Sequence, residues 1–154
     1  MEMTRMKVDI LGLAEVRWKG ADMITSDGYK MVFSGGNLHE RGVGTMLTPN
    51  IAKSLKLFWP VSDGIIVTTP FNTNINQVYA PTTDHDDTEV EAFYEELDKT
   101  LQQLKSTNIK IIMGDFNAKV GARRIGNTVG SHGLGEKMKE EKCLLDGVKK
   151  MTLL

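Results

Sequence analysis

The order of apolar and polar residues along the chain predicts a series of short strands in its first half. The apolar stretch at 8–14 contains β-branched residues and is followed at once by charge, as expected of a strand that ends in a loop. Asp63-Gly64 is a hairpin-turn signal that separates two further apolar stretches. Four closely spaced strands joined by turns imply an antiparallel run, with strands at 42–47, 55–59, 65–67 and 75–79.

After Pro81 the pattern changes to the three- and four-residue steps of an amphipathic helix. Thr88 with Glu91 has the spacing of a capping box at the start of this helix. The run from 109 to 113 is then continuously apolar, which favours a strand covered on both faces and ending before Asp115. One helical face is formed by residues at these steps, namely Val90, Phe93, Leu97, Leu101 and Leu104.

Length and composition limit the classes of protein to which this chain can belong. The 154 residues, 40% hydrophobic and 25% charged, predict one domain over 1–154, and a net charge of −1 provides no overall attraction to nucleic acid or membranes. Cys143 is the single cysteine, so an internal disulfide is excluded. No signal peptide or apolar run of about 18 residues occurs, so no membrane association is expected. We therefore expect an intracellular protein, nuclear or cytoplasmic.

Two carboxylates follow separate predicted strands. Glu15 comes directly after the first strand, and Asp115 follows the strand at 109–113. Ligands of open α/β sheets bind outside the carboxyl ends of strands, and Mg²⁺ is usually held by one or two carboxylates with water and substrate phosphate. The alternative interpretation is that both side chains are ordinary solvated loop acids.

The amino-acid sequence around these residues resembles that of a known family. IIMGDFN at 111–117, LGLAEVRW at 11–18 and QVYAPT at 77–82 are similar, in this order, to three motifs of the endonuclease/exonuclease/phosphatase superfamily. The segments between them are similar to the nuclease domains of non-LTR retrotransposons and the related craniofacial development proteins. The resemblance extends from about Lys7 to Leu145.

The resemblance implies an α/β (α+β) fold, an incomplete four-layer sandwich of the DNase I-like type with mixed, mostly antiparallel sheets flanked by helices. It implies that Glu15 holds Mg²⁺, with Mn²⁺ as an alternative, and that Asp115 takes the proton of the attacking water. Asn117 would orient Asp115 and the scissile phosphate, and Tyr79 would donate a hydrogen bond to a phosphate oxygen. The implied substrate is DNA, nicked by metal-assisted hydrolysis.

Other parts of the superfamily pattern are missing from the sequence. The seven residues before Val8 contain no asparagine, and His132 is the only histidine after Asn117, with no Ser-Asp-His triplet. We therefore expect a partial domain, truncated at both ends by transposon decay or by gene modelling, that lacks catalytic activity. Such a fragment is expected to expose apolar sheet surface and to be prone to self-association, while its oligomeric state stays open.

Two further possibilities remain open. Lys119, Arg123 and Arg124 form a small basic cluster that could contact a nucleic-acid backbone, although such clusters are usually solvated surface. The chain could then be a non-catalytic module that binds nucleic acid or protein. The superfamily also contains sphingomyelinases, inositol polyphosphate phosphatases and deadenylases, whose sequences this chain resembles less. His39 and His85 have the character of exposed histidines.

Overall fold

The computed structural model describes residues 2–82 and 86–118. The chain divides into two compact units. The first consists of the residues up to Tyr79 together with Thr100–Asp115, and the second consists of Ala80–Lys99 and the residues from Phe116 onward. The strands described below all belong to the first unit.

One sheet of the first unit, sheet A, contains four antiparallel strands, at Ile10–Ala14 (β1), Ala21–Ser26 (β2), Tyr29–Ser34 (β3) and Val43–Leu47 (β4). Their order in the sheet is β1-β4-β3-β2. The sequence prediction found β1 and β4 and missed the β2–β3 hairpin. Its turn is Asp27-Gly28, with φ values of 50° and 80°, and these residue types tolerate positive φ in two-residue hairpin turns.

The second sheet, sheet B, contains β5 (Leu55–Pro60), β6 (Ile65–Pro70), β7 (Thr73–Tyr79) and β8 (Ile109–Asp115) in that order. The first three strands are antiparallel, and β8 is parallel to β7. The predicted antiparallel run of four strands is therefore correct for three of them. The strand predicted at 42–47 lies instead in sheet A, because β4 pairs with β1 and β3.

The core of the first unit lies between the two sheets. Val32 and Val43 from sheet A and Ile66 from sheet B are fully buried and form one hydrophobic cluster. Burial of such side chains stabilises the folded state by about 1.5–3 kcal/mol each. The sheets also approach closely at Gly12, where an added Cβ would lie 1.9 Å from Gln77 Oε1. Glycine in β1 therefore allows the sheets to pack against each other at this point.

Strand β8 differs from its prediction. Ile109 is 66% exposed and Ile111 is 43% exposed, so the prediction of a strand covered on both faces was wrong. Within residues 2–82 and 86–118, β8 pairs only with β7 and forms an edge of sheet B. The expected exposure of apolar sheet surface is confirmed at this edge.

The described residues also form three helices, α1 (Glu2–Met6), α2 (Pro49–Ala52) and α3 (Asp87–Gln103). The predicted amphipathic helix is α3. Its cap differs from the predicted box at Thr88, because Asp86 Oδ1 accepts a 3.0 Å hydrogen bond from the Glu89 backbone N–H. Asp86 therefore caps the helix, while Thr88 lies inside its first turn. The buried apolar residues of α3 are Val90, Phe93, Leu97 and Leu101.

Candidate active site

Glu15 directly follows β1, as the sequence predicted, and both of its carboxylate oxygens are hydrogen-bonded. Arg17 Nη2 donates to Oε2 over 2.5 Å, and the Tyr79 hydroxyl donates to Oε1 over 3.0 Å. Glu15 and Arg17 both adopt positive φ, at 53° and 58°. Since non-glycine residues rarely adopt this conformation, the turn after β1 holds its side chains at a cost in backbone energy, as is common at functional sites.

The two donors also set the charge of Glu15. The hydrogen bond from Arg17 is the largest influence that lowers the pKa of Glu15 below its usual value of 4.5, followed by the hydrogen bond from Tyr79. Both donors favour the carboxylate over the protonated acid. Glu15 is therefore ionised at neutral pH and carries the charge that a cation site needs.

Tyr79 and Asp115 end neighbouring strands. They are paired in the register of the parallel β7 and β8, so their side chains project from the same face of sheet B at the same end. Gly114 precedes Asp115 with φ of 145°, and an added Cβ there would lie 1.9 Å from the Val78 carbonyl oxygen. Only glycine fits this backbone, and it brings β8 close to β7 immediately before Asp115.

A cleft of about 440 Å³ opens beside Asp115, between the edges of the two sheets. Gln77 in its wall is 2% exposed, and its Oε1 has no hydrogen-bond partner among the described residues. Buried polar atoms without a partner are uncommon and call for an explanation such as water or a ligand. The residues that line the cleft are Gly12, Ala14, Gln77, Met113, Gly114 and Asp115.

Asn117 belongs to the second unit. Its φ is 46°, and its Nδ2 donates a 2.7 Å hydrogen bond to the Ala80 carbonyl oxygen. This bond fixes the carboxamide within its own unit. The role that the family resemblance implies for Asn117 stays a prediction.

The histidines and the basic cluster that the sequence analysis singled out are not part of this site as the structure describes it. His39 is exposed, as predicted, and its Nδ1 hydrogen-bonds to the Arg17 carbonyl oxygen at 2.7 Å. The basic cluster of Lys119, Arg123 and Arg124 lies outside the described residues, as do His85 and His132.

Two residues of the site were missed by sequence reasoning. Arg17 stands two residues after Glu15, and the charged pair itself was the available signal. Gln77 lies in β7 among other polar residues, Asn74 and Asn76, so its residue type alone gave no distinct signal.

The donor chemistry of the site fits a hard divalent cation. Glu15 supplies an exposed carboxylate, and Asp115 is a second carboxylate beside the adjoining cleft. Mg²⁺ uses oxygen ligands and commonly takes only one or two carboxylates from the protein. No group of three or more histidine, cysteine, aspartate or glutamate side chains is clustered within residues 2–82 and 86–118. The arrangement therefore suits a cation that keeps water ligands.

The sequence model of the Endonuclease/Exonuclease/phosphatase family matches residues 2–136. The chain belongs to this family. Among relatives, it is 32% identical over 150 residues to the craniofacial development protein 2 of Bos taurus, covering 94% of this chain and 25% of that protein. For the Tragulus javanicus protein of the same name the values are 32%, 94% and 26%. The chain thus spans about a quarter of the length of these curated relatives.

Solved structures of two nucleases have a similar backbone. A 3′–5′ exonuclease from Neisseria meningitidis has a TM-score of 0.61 at 15% identity, covering 92% of this chain and 60% of that chain. An AP endonuclease from Archaeoglobus fulgidus has a TM-score of 0.58 at 18% identity, covering 77% and 50%. These similarities confirm the predicted DNase I-like α+β fold with two mostly antiparallel sheets.

The Neisseria 3′ phosphatase has also been solved with a product DNA hairpin, and it matches with a TM-score of 0.55, at 15% identity, over 92% of this chain and 60% of that chain. That neighbour therefore binds DNA. Among the described helices of this chain, none has the length and apolar character needed to cross a membrane.

Proposed function

We propose that this chain carries the metal-binding and phosphate-positioning part of a magnesium-dependent DNA endonuclease of the retrotransposon type. The observation that carries the proposal is the 3.0 Å hydrogen bond from Tyr79 to Glu15, formed where Asp115 is paired with Tyr79 across β7 and β8. The contact of Tyr79 with Glu15 and its pairing with Asp115 support a site shared by these three residues. The similarity to DNA-acting nucleases supports DNA as the substrate.

In this proposal Glu15 holds Mg²⁺, with Mn²⁺ as a substitute, and Asp115 faces the scissile phosphate. When bound, the ion supplies a Lewis acid that stabilises negative charge on the phosphodiester. Arg17 and Tyr79 keep Glu15 ionised and fix both of its oxygens, so the ligand is oriented before the ion arrives. Asp115, as a carboxylate, takes the proton of the attacking water.

Tyr79 has a second function in this proposal. Its single hydroxyl proton is donated to Glu15 in the free chain. When substrate occupies the site, this proton is donated to a phosphate oxygen instead, and Arg17 continues to hold Glu15. A preorganised donor of this kind stabilises charge that develops in the transition state.

We further propose that the chain by itself binds metal and DNA but does not hydrolyse the DNA. The family pattern supplies an aspartate-histidine pair after the segment that contains Asn117, and the printed sequence has no such pair there. Without that pair, the remaining residues hold a substrate but lack part of the acid-base apparatus.

The metal site is tested by NMR with substoichiometric Mn²⁺, which broadens amide signals near the bound ion. We expect broadening centred on Glu15 and Asp115, and we expect Glu15→Gln to weaken Mn²⁺ binding by at least roughly tenfold. Glu40→Gln removes the same charge at an exposed loop position and should have no effect. Broadening that is unchanged in Glu15→Gln would refute the metal site.

Activity is tested separately with supercoiled plasmid and Mg²⁺. We expect no nicking by the wild-type chain and salt-dependent retention of the plasmid on a gel. Nicking that is abolished by Asp115→Asn and retained by Asp27→Asn would overturn the proposed inactivity. Retention without site-centred Mn²⁺ broadening would favour the alternative, a non-catalytic nucleic-acid-binding module.

A further inference from the structure

A large aromatic residue occupies a turn position that disfavours it. Phe71 follows β6 in the turn to β7 and has φ of 52°, in the region that glycine, asparagine and aspartate normally take in hairpin turns. Phe71 is also 57% exposed, so burial of its ring does not offset the strain. Backbone strain that packing does not explain is a mark of functional positions.

An open pocket of about 340 Å³ lies beside the Phe71 ring. Two exposed lysines, Lys53 and Lys56, contribute to its wall, and within residues 2–82 and 86–118 no carboxylate does. Lys56 Nζ donates a 2.8 Å hydrogen bond to Asn72 Oδ1, which holds one ammonium group in place and leaves two of its three donors for a ligand. Among the residues that the structure describes, the lining consists of Lys53, Ser54, Leu55, Lys56, Phe71 and Asn72.

The backbone of the turn is held on two sides. The Phe71 N–H donates to the Ser54 carbonyl oxygen over 3.2 Å, and the Asn72 carbonyl oxygen accepts from the Ile109 N–H over 3.0 Å. These bonds connect the turn to the segment before β5 and to the start of β8. The ring is therefore presented from a fixed backbone, which lowers the entropy lost when a ligand binds.

This pocket is separate from the candidate active site. It lies at the start of β7, whereas Tyr79 ends that strand. Strand β7 has seven residues, so at about 3.3 Å per residue its two ends lie roughly 20 Å apart. A ligand in the pocket would leave Glu15 and Asp115 accessible.

We propose that this pocket binds single-stranded nucleic acid, with one base stacked on Phe71 and the adjoining phosphates bound by Lys53 and Lys56. Every unit of a single strand offers both a flat π face and a negative charge, the two features that the pocket complements. In a duplex the base faces are stacked and cannot reach a single surface ring. An acidic peptide would satisfy the lysines but not require the ring.

The test is fluorescence anisotropy of a labelled oligothymidylate, with chelator present so that metal binding at Glu15 plays no part. We expect Phe71→Asn to weaken binding by roughly 5- to 100-fold, the equivalent of one lost base–aromatic stack. Lys53→Gln with Lys56→Gln should reduce the slope of log K against log salt by about 1.4, or about 0.7 per lysine. Phe71→Trp should retain binding.

Controls separate this site from general effects. Lys7→Gln with Lys99→Gln removes the same charge elsewhere and should leave the salt slope unchanged, and Glu40→Gln, at an exposed loop position, should bind as wild type does. Asparagine tolerates positive φ better than phenylalanine, so Phe71→Asn should melt at or above the wild-type temperature. The proposal would be overturned if Phe71→Asn bound as tightly as wild type, or if wild type did not bind the oligothymidylate at all. It would also be overturned if wild type bound duplex DNA with equal affinity, or if polyglutamate displaced the oligothymidylate in a way that depends on Phe71.

Discussion

The Tyr79 hydroxyl donates to Glu15 Oε1 over 3.0 Å and so connects the end of β7 in sheet B to the loop that follows β1 in sheet A. The two residues are 64 positions apart in sequence, and each is brought to this point by the carboxyl end of its strand. The contact requires β1 to lie against β7, which glycine at position 12 permits. One hydrogen bond therefore reports on the packing of the sheets as well as on the site.

Tyr79→Phe removes this donor and retains the ring. We expect the pKa of Glu15 to rise and Mn²⁺ binding to weaken by about tenfold, because the carboxylate loses a partner that stabilises and orients it. The pKa is read from the side-chain carboxyl signal of Glu15 by NMR in metal-free buffer. Tyr29→Phe removes a hydroxyl that hydrogen-bonds to Thr4 and not to Glu15, and serves as the control. The same pKa in all three proteins would contradict the role of Tyr79.

Arg17→Gln should raise the pKa of Glu15 more than Tyr79→Phe does, because Arg17 is the larger of the two influences. A lowered pKa in the folded state stabilises the fold above the usual value of 4.5, and this contribution is lost as the pH falls through the folded pKa. Arg17→Gln should therefore be less stable than wild type at neutral pH, with the difference vanishing in acid. Urea unfolding at neutral and acid pH measures it, and Lys19→Gln is the matched control.

The sequence predicted the elements that have strong local signals. The helix α3 was found from its periodicity, and strands β1 and β4 to β8 were found from short apolar stretches and the turn signals between them. Three family motifs located Glu15, Tyr79 and Asp115. The β2–β3 hairpin was missed although Asp27-Gly28 is a turn signal of the same kind as Asp63-Gly64. Its residues alternate weakly because every residue of β2 is exposed, so hydrophobic periodicity carried no information there.

Pairing between distant strands was beyond local reasoning. The assignment of β4 to sheet A depends on contacts with β1 and β3, which no local pattern encodes. The exposure of β8 could not be predicted either, because an edge strand and a central strand can have the same apolar run. The partners of Glu15 were hidden for the same reason, since a hydrogen bond between sheets depends on their packing.

Gly114→Ala is expected to destabilise the first unit more than Gly20→Ala. Both glycines have positive φ, but an alanine at Gly20 meets nothing within 4 Å, whereas at Gly114 its Cβ would lie 1.9 Å from the backbone oxygen of Val78. Gly20→Ala should cost about 1–2 kcal/mol of unfolding free energy from its conformation alone. The clash at Gly114 should add about 1–3 kcal/mol. Urea unfolding of both variants measures the difference, and equal losses would show that β8 moves freely away from β7.

The apolar edge at β8 should drive self-association of the chain. Ile109 and Ile111 are both exposed on an edge strand of the described sheet, a combination that favours pairing with another copy. We expect sedimentation velocity to show association of the wild-type chain in the micromolar to millimolar range, and Ile109→Lys with Ile111→Lys to shift the chain to monomer. Leu38→Lys changes a comparably exposed apolar residue outside any strand and should not do so. A wild-type chain that stays monomeric, or an equal effect of the Leu38 variant, would exclude β8 as the associating surface.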